Sequence, residues 1–445
     1  MLTKLKTRLF GPFFSIVIPT RDRPEFIELG LEVLLAQTFQ DFEVIVSDNG
    51  LTKSCKSVVD KFNDPRIRYI KPPEPLEMSH HWEFACSQAR GRYVSVLIDK
   101  TFLHTEALSL LYASLKQKKY DLVSWTNETY VPIDEKEGYS EGYYSPQYQA
   151  SAPFPYSPNE ELTRRMECKE DLWAEGNNYV RGKICFGAFS AKLIKKIKRV
   201  QGGNLFHSVC PDYTATVSAL ALAKNALDMG QPLMASFLTS VSNGMNYYQS
   251  PSYALNFLQQ VDPSGGVLQD LPIRNLYAST HNLIAGDYLR VKRTLGDKLF
   301  PDNLNIKNLI DRIISDLAVV GFRSDEDLIE QIKHLLEVNP EFDLDELAER
   351  IKAERKEKKL TGSQAEDEIL AIYQSLYKRF SSPLTMAQYM ASHYQEELSH
   401  ESEETEPLDA PTPENLLTES ELQEAEEALS NPAESKSDIA LSNSQ

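Results

Sequence analysis

The stretch VLIDKTFL, Val96 to Leu103, reads as a buried strand running into one acid, Asp99, followed by Lys100 and Thr101. A site for a hard divalent cation would place more acids there, since Mg²⁺ and Mn²⁺ take oxygen ligands and usually one or two protein carboxylates. Two other polar clusters follow apolar runs in the same way: Thr20 to Arg23 after FFSIVIP, and Asp48 to Gly50 after FEVIVSD. The chain has neither GxGxxG nor GxxxxGK[ST], so no glycine loop is present to cradle a phosphate. Phosphate charge at these strand ends would have to be met by side chains or by a metal.

The elements that must position these clusters alternate. Phe13 to Ile18 is a short, almost unbroken apolar run, the mark of a strand covered on both faces. Pro24 opens a segment with Ile27, Leu31, Leu34 and Leu35 at helical spacing. FEVIVSD is a second strand, Lys53 to Phe62 a helix, and RIRYI a third strand. Met78 to Ala89 is a helix with Trp82 and Ala85 inward, closed by Gly91. RYVSVLI is a fourth strand ending at Asp99, Thr105 to Lys118 a helix, and YDLVSWT a fifth strand. Such alternation predicts an α/β fold with a mostly parallel sheet and helices on both faces. Ligands then collect beyond the carboxyl ends of the strands, where all three clusters fall.

Beyond this, Pro132 to Pro158 reads as a long loop or lid. Ile184 to Ile197 reads as a turn into a basic helix, and CPDYTATVSALALAKNAL as another helix with Pro211 and Asp212 at its start. Helical patterns dominate from Pro251 to about Leu398. The boundaries that follow are a basic arm over 1–12, an α/β domain over 13–250, a helical accessory region over 251–395, and an acidic tail over 396–445.

The net charge of -18 is concentrated in that tail, where fifteen acids stand against one lysine. The tail reads as disordered. The body is close to balance, unlike the basic body of a nucleic-acid-binding protein, so nucleic acid is not an expected partner. Five cysteines without a CxxC signal neither a disulfide framework nor a zinc site, and point to a reducing compartment. No apolar run is long enough for a transmembrane helix. The basic arm reads first as a solvated arm, with contact to an anionic membrane surface as the alternative.

Together, FSIVIPTRDRPEFI, DFEVIVSDNG, MSHHWEFACSQARGRYVSVLID and CPDY resemble an inverting family-two glycosyltransferase of the GT-A fold, in order and spacing from Phe13 to about Val241. The resemblance implies transfer of a sugar from a nucleotide-diphosphate sugar to an acceptor hydroxyl, with glycan or exopolysaccharide assembly as the setting. It implies a cytoplasmic protein, peripheral on the inner face of the membrane. It places Pro19, Thr20, Arg21, Asp48 and Asp99 on the nucleotide sugar, although Asp48 with Asn49 and Gly50 also fits a strand-closing turn.

The family's DXD-type element falls on Asp99, Lys100 and Thr101, with Asp99 the one carboxylate left for Mg or Mn and Thr101 in place of the usual metal contact. Two readings of Lys100 stand: an ammonium that contacts the diphosphate directly, helped by Arg21 or Lys71, or a surface pair with Asp99 worth about 0–1 kcal/mol. Asp212 matches the family's general base, with His207 a weaker candidate. His80 and His81 line the site or the helix surface. Of the three tryptophans, Trp82 reads as core and Trp125, near the cleft, as the better sugar-stacking candidate, with Trp173 a third. The rival to an enzyme is a catalytically silent domain that binds a nucleotide or glycan, or scaffolds other proteins.

Overall fold

The computed structural model describes residues 11–134, 136, 138–169, 178–207, 209–239, 246–247, 250–300, 302–356 and 377–403. Residues 1–398 form one compact unit. The basic arm up to residue 10, and the acidic tail from residue 404, lie outside the described residues. Residues 396–403, placed in the tail on sequence grounds, continue a helix.

The first half builds the expected alternation. β1 (Phe14–Thr20) is followed by α1 (Pro24–Leu35), β2 (Phe42–Asp48), α2 (Lys56–Lys61), β3 (Ile67–Ile70), α3 (Met78–Ser87) and β4 (Tyr93–Val96). β1 lies between β2 and β4, parallel to both, and β3 is parallel to β2. All seven residues of β1 and of β2 are buried, as their continuous apolar sequence requires. Their register sets Thr20 directly opposite Asp48.

The sheet as a whole is mixed, not mostly parallel. After β5 (Thr101–Leu103), α4 (Ala107–Gln117) and β6 (Leu122–Pro132), the chain forms β7 (Gly142–Tyr144), β8 (Phe154–Tyr156), α5 (Pro158–Met166), a 3-10 turn (Ile184–Phe186) and β9 (Gly187–Ser190). α6 (Ala191–Val200), α7 (Pro211–Leu222) and β10 (Ala226–Phe237) follow. β9 is antiparallel to both β4 and β6 and separates them. β10 is parallel to β6 but antiparallel to β5 and β8. Two short strands therefore occupy the segment read as a loop or lid, and β9 occupies what reads as a turn. Three- and four-residue strands carry too little period-2 pattern to stand out in sequence.

The remaining helices are α8 (Pro251–Val261), α9 (Gly266–Gln269), α10 (Thr280–Leu295), α11 (Ile306–Val319), α12 (Asp325–Val338), α13 over 344–356 and α14 (Pro383–Glu403). Leu309, Ile313 and Leu317 of α11 pack with Leu328 and Ile332 of α12, and with Leu347 and Ile351 of α13. The chain then returns to the sheet. β11 (Lys378–Phe380) pairs with β7, and Met386, Met390 and Tyr394 of α14 pack with Phe26, Phe102 and Tyr130 from the first half.

A buried polar cluster ties the amino ends of these strands together. Glu43 accepts from Ser15 Oγ at 2.7 Å, Arg90 Nη2 at 2.6 Å and Arg68 Nη1 at 2.9 Å. Burial raises the Glu43 pKa, but these donors hold it below the usual carboxylate value. Gly91 closes the cluster, donating its N–H to Ser15 Oγ at 2.8 Å. It is not a left-handed helix cap: α3 ends four residues earlier and Gly91 is absent from the positive-φ glycines. It is needed for close approach, since a Cβ there would lie 2.5 Å from Ser15 N and 2.8 Å from the Phe14 carbonyl carbon. Gly91→Ala is therefore expected to cost about 1–3 kcal/mol by overpacking, read as a lower urea midpoint at unchanged slope.

Candidate active site

Asp99 stands just beyond β4, whose ladder continues through Leu97 N–H to the Val17 carbonyl at 2.8 Å. The chain then turns sharply. Thr101 donates both its N–H, at 2.9 Å, and its hydroxyl, at 2.7 Å, to the Ile98 carbonyl before entering β5. Asp99 is 5% exposed. Its Oδ2 accepts from Thr20 Oγ1 at 2.9 Å and its Oδ1 from Arg23 Nη1 at 3.1 Å. Burial raises the Asp99 pKa, while the Arg23 charge, the bonds from Thr20 and Arg23, and then the Lys100 charge pull it back. Arg23 is the partner that sequence reading missed. It lies 76 residues away, and its only signal was its place in the cluster after β1.

Lys100 is half-buried beside this pair. Burial and the Arg23 charge push its ammonium pKa down, and Asp99 pulls it up. It has no hydrogen-bond or ion-pair partner among the described residues, so the Lys100–Asp99 surface pair is not formed.

Asp48 is fully buried and makes the strand-closing turn. Oδ1 accepts from Gly50 N–H at 2.8 Å, and Oδ2 from Ser54 Oγ, Cys55 N–H and Tyr69 Oη at 2.8, 2.9 and 2.8 Å. Despite burial, these donors hold it below the usual carboxylate value. Only Oδ1 keeps capacity for a further donor. Asn49 clasps Leu76 in both directions, at 2.8 and 3.0 Å, and Arg21 donates to the same Leu76 carbonyl. Asp22, in the left-handed region at φ 60°, gathers the amides of Leu51, Thr52 and Lys53 at 2.9, 2.7 and 2.7 Å on one oxygen. The loops after β1 and β2 are thereby fastened to each other. His81 meets Ser47 at 2.9 Å, and burial with the Arg21 charge pushes its pKa to about 4, so it is neutral. His80 is exposed and pairs with Glu77.

These residues do not fit a divalent metal. Both oxygens of the one carboxylate are engaged, one of them by a guanidinium, and the Thr101 hydroxyl is turned onto backbone. Among the described residues no group of three or more His, Cys, Asp or Glu is arranged to hold an ion. The positive charge here belongs to Arg23 and Lys100.

Asp212 lies in the first turn of α7, partly exposed. Burial raises its pKa, while Lys183, the amides of the first turn and Arg165 lower it. Contacts link it to the strand edge: Ser95 of β4 donates to the Ile184 carbonyl at 3.4 Å, and Lys183, one residue earlier, brings its Nζ to 3.8 Å from Asp212 Oδ2. His207 is tied by Nε2 to Gln201 Oε1 at 2.8 Å, which makes it the poorer base. Trp82 is core, edge-on to Phe206 at 5.5 Å. Trp125 is not a stacking platform: it lies within β6, 1% exposed, among core side chains. Trp173 lies outside the described residues.

Residues 15–164 match the model of Glycosyl transferase family 2. These residues form a family-2-like glycosyltransferase domain. The matched span contains the whole strand-edge cluster and ends before Asp212. The chain is 25% identical over 126 residues to Glycosyltransferase GlyG of Streptococcus pneumoniae, covering 28% of this chain and 41% of that protein. It is 32% identical over 103 residues to a GalNAc(5)-diNAcBac-PP-undecaprenol beta-1,3-glucosyltransferase of Campylobacter jejuni, covering 22% and 33%. The chain thus spans well under half the length of these curated relatives. A crystal structure of S. aureus TarS 1-349 in complex with UDP-GlcNAc aligns over 80% of this chain and 91% of that one, with a TM-score of 0.41 and 14% identity.

Arg23 and Asp99 yield a test with a defined sign. The folded Asp99 carboxyl has a pKa above its ordinary value, so its contribution to stability is present below that ordinary value and is lost as pH rises through the folded pKa. Removing the guanidinium raises the folded pKa further. Arg23→Ala is expected to destabilise the protein by about 1–3 kcal/mol at pH 8, given that Arg23 is partly exposed. The deficit should shrink as the pH is lowered into the carboxylate range, as followed by urea unfolding at several pH values.

Proposed function

We propose that this protein is an inverting glycosyltransferase of the GT-A type. It would move a sugar from a nucleotide-diphosphate sugar to an acceptor hydroxyl, in glycan or exopolysaccharide assembly. The observation that carries the reading is the half-buried, unpartnered Lys100 beside a neutralised Asp99, at the carboxyl edge of parallel strands in a family-2-like domain. Pro19, Thr20, Arg21 and the free capacity of Asp48 Oδ1 border the nucleotide, and Asp99 orients Thr20 and Arg23. The acceptor oxygen attacks the anomeric carbon as its proton passes to an Asp212 oxygen. The bond from that carbon to the diphosphate breaks, and the electron pair leaves with the nucleoside diphosphate. Lys100 meets the charge that develops on the leaving group. No described helix is long and apolar enough to cross a membrane. We place the protein in the cytoplasm, with access to the inner membrane face.

A second reading, a silent nucleotide- or glycan-binding domain, is favoured by the extent to which Asp48 is consumed by its own turn and by Thr101 where the family has an acid. Nucleotide release from a panel of nucleotide sugars with mixed glycan acceptors decides between the two. Turnover is expected to persist in EDTA, to fall by about 10²–10³-fold in Lys100→Ala, and to fall by about 10²–10⁴-fold in Asp212→Asn. Binding without turnover across the panel would overturn the enzyme reading.

A further inference from the structure

Lys183 is 1% exposed, which is costly for an ammonium unless its charge is compensated. Its Nζ stands 3.6 Å from the Tyr179 ring centroid and 3.8 Å from that of Tyr213. Phe186 lies farther out, at 5.8 Å. The two tyrosines are locked to each other by a 2.5 Å contact between their hydroxyls. Electron-rich ring faces stabilise a desolvated cation by cation–π attraction. The ammonium makes no hydrogen bond among the described residues, and the carboxylate it faces is Asp212, with Oδ2 at 3.8 Å.

That distance matters. A lysine hydrogen-bonded to a base occupies one of the lone pairs on which the base could take a proton. An ammonium held by rings acts through space and leaves the carboxylate oxygens open to the acceptor proton. We propose that Lys183 is a positioning residue: a ring-caged counter-cation that offsets the cost of a negative charge on Asp212 without a hydrogen bond to its carboxylate. The inference rests on the reading of Asp212 as base. The other groups around Asp212 do not substitute for it. Cys185, Cys210 and Tyr213 are neutral, because burial drives each of their pKa values upward. Arg165 is spent on the Tyr179 and Arg181 carbonyls at 2.7 and 3.0 Å, and acts on Asp212 more weakly than Lys183.

The test is a pH titration of the full chain by NMR, with Asp Cγ and Lys Nζ labels assigned through Asp212→Asn and Lys183→Arg. In Lys183→Met the Asp212 midpoint is expected to rise by about 1–3 pH units, and the acid limb of the turnover profile to rise equally with the donor KM unchanged. Lys183→Arg, which keeps the charge and stacks on the rings, should restore most of the shift. An unmoved midpoint, or a rate loss uniform across pH, would show a merely structural lysine and overturn the proposal. If Lys183→Met does not fold, the wild-type titration decides: Lys183 Nζ must stay protonated and show a step at the Asp212 midpoint, and a neutral Lys183 or no step refutes the pair. A shifted midpoint in a protein that turns over no donor supports the pair and sinks the base assignment instead.

Discussion

A carboxylate buried where parallel strands end has to be neutralised by something, and in this protein the cation comes from the chain. Asp99 is carried into the interior by the β4 ladder and meets Arg23 on one oxygen and Thr20 on the other. That commitment fixes much of what surrounds it. It aligns the loop after β1 with the end of β4, gives each Asp99 oxygen a donor, one of them a guanidinium, and leaves the half-buried Lys100 ammonium without a partner among the described residues. The desolvation that makes an unpaired charge costly also strengthens its attraction for an anion.

The rest of the edge is stiffened in the same way. Asp22 gathers three successive amides of the loop after β2, and Asn49 and Arg21 anchor the segment before α3 through Leu76. The loops after β1 and β2 are therefore held to each other by their own side chains, which is how such an edge keeps its geometry. At the start of α7, Asp212 is treated differently: its cationic partner Lys183 is held 3.8 Å away among aromatic rings rather than in a hydrogen bond.

Much of this was legible in sequence, for identifiable reasons. The continuous apolar runs of β1 and β2 announce a sheet covered on both faces, and the polar residues behind them meet at the strand ends, where Thr20 lies opposite Asp48 and bonds Asp99. What was not legible depended on pairing between distant segments. β9 is four residues long and antiparallel, and nothing local says that it inserts between β4 and β6. Arg23 carries no local sign of its partner, which is 76 residues away. Trp125 reads as a strand end because β6 runs six residues further than its apolar start suggests, which puts the indole in the core. Lys183 carried no sequence signal, since a caged lysine is defined by rings that arrive from two other turns.

The central claim is that side chains, not a metal, meet the diphosphate at this edge. Calorimetric titration of nucleoside diphosphates, uridine and guanosine among them, tests it most directly when run in EDTA and in Mn²⁺ on the wild type and Lys100→Ala. The account predicts equal affinity in EDTA and Mn²⁺, with loss of binding by the variant in both. Binding that appears only with Mn²⁺ and is indifferent to Lys100→Ala would contradict it.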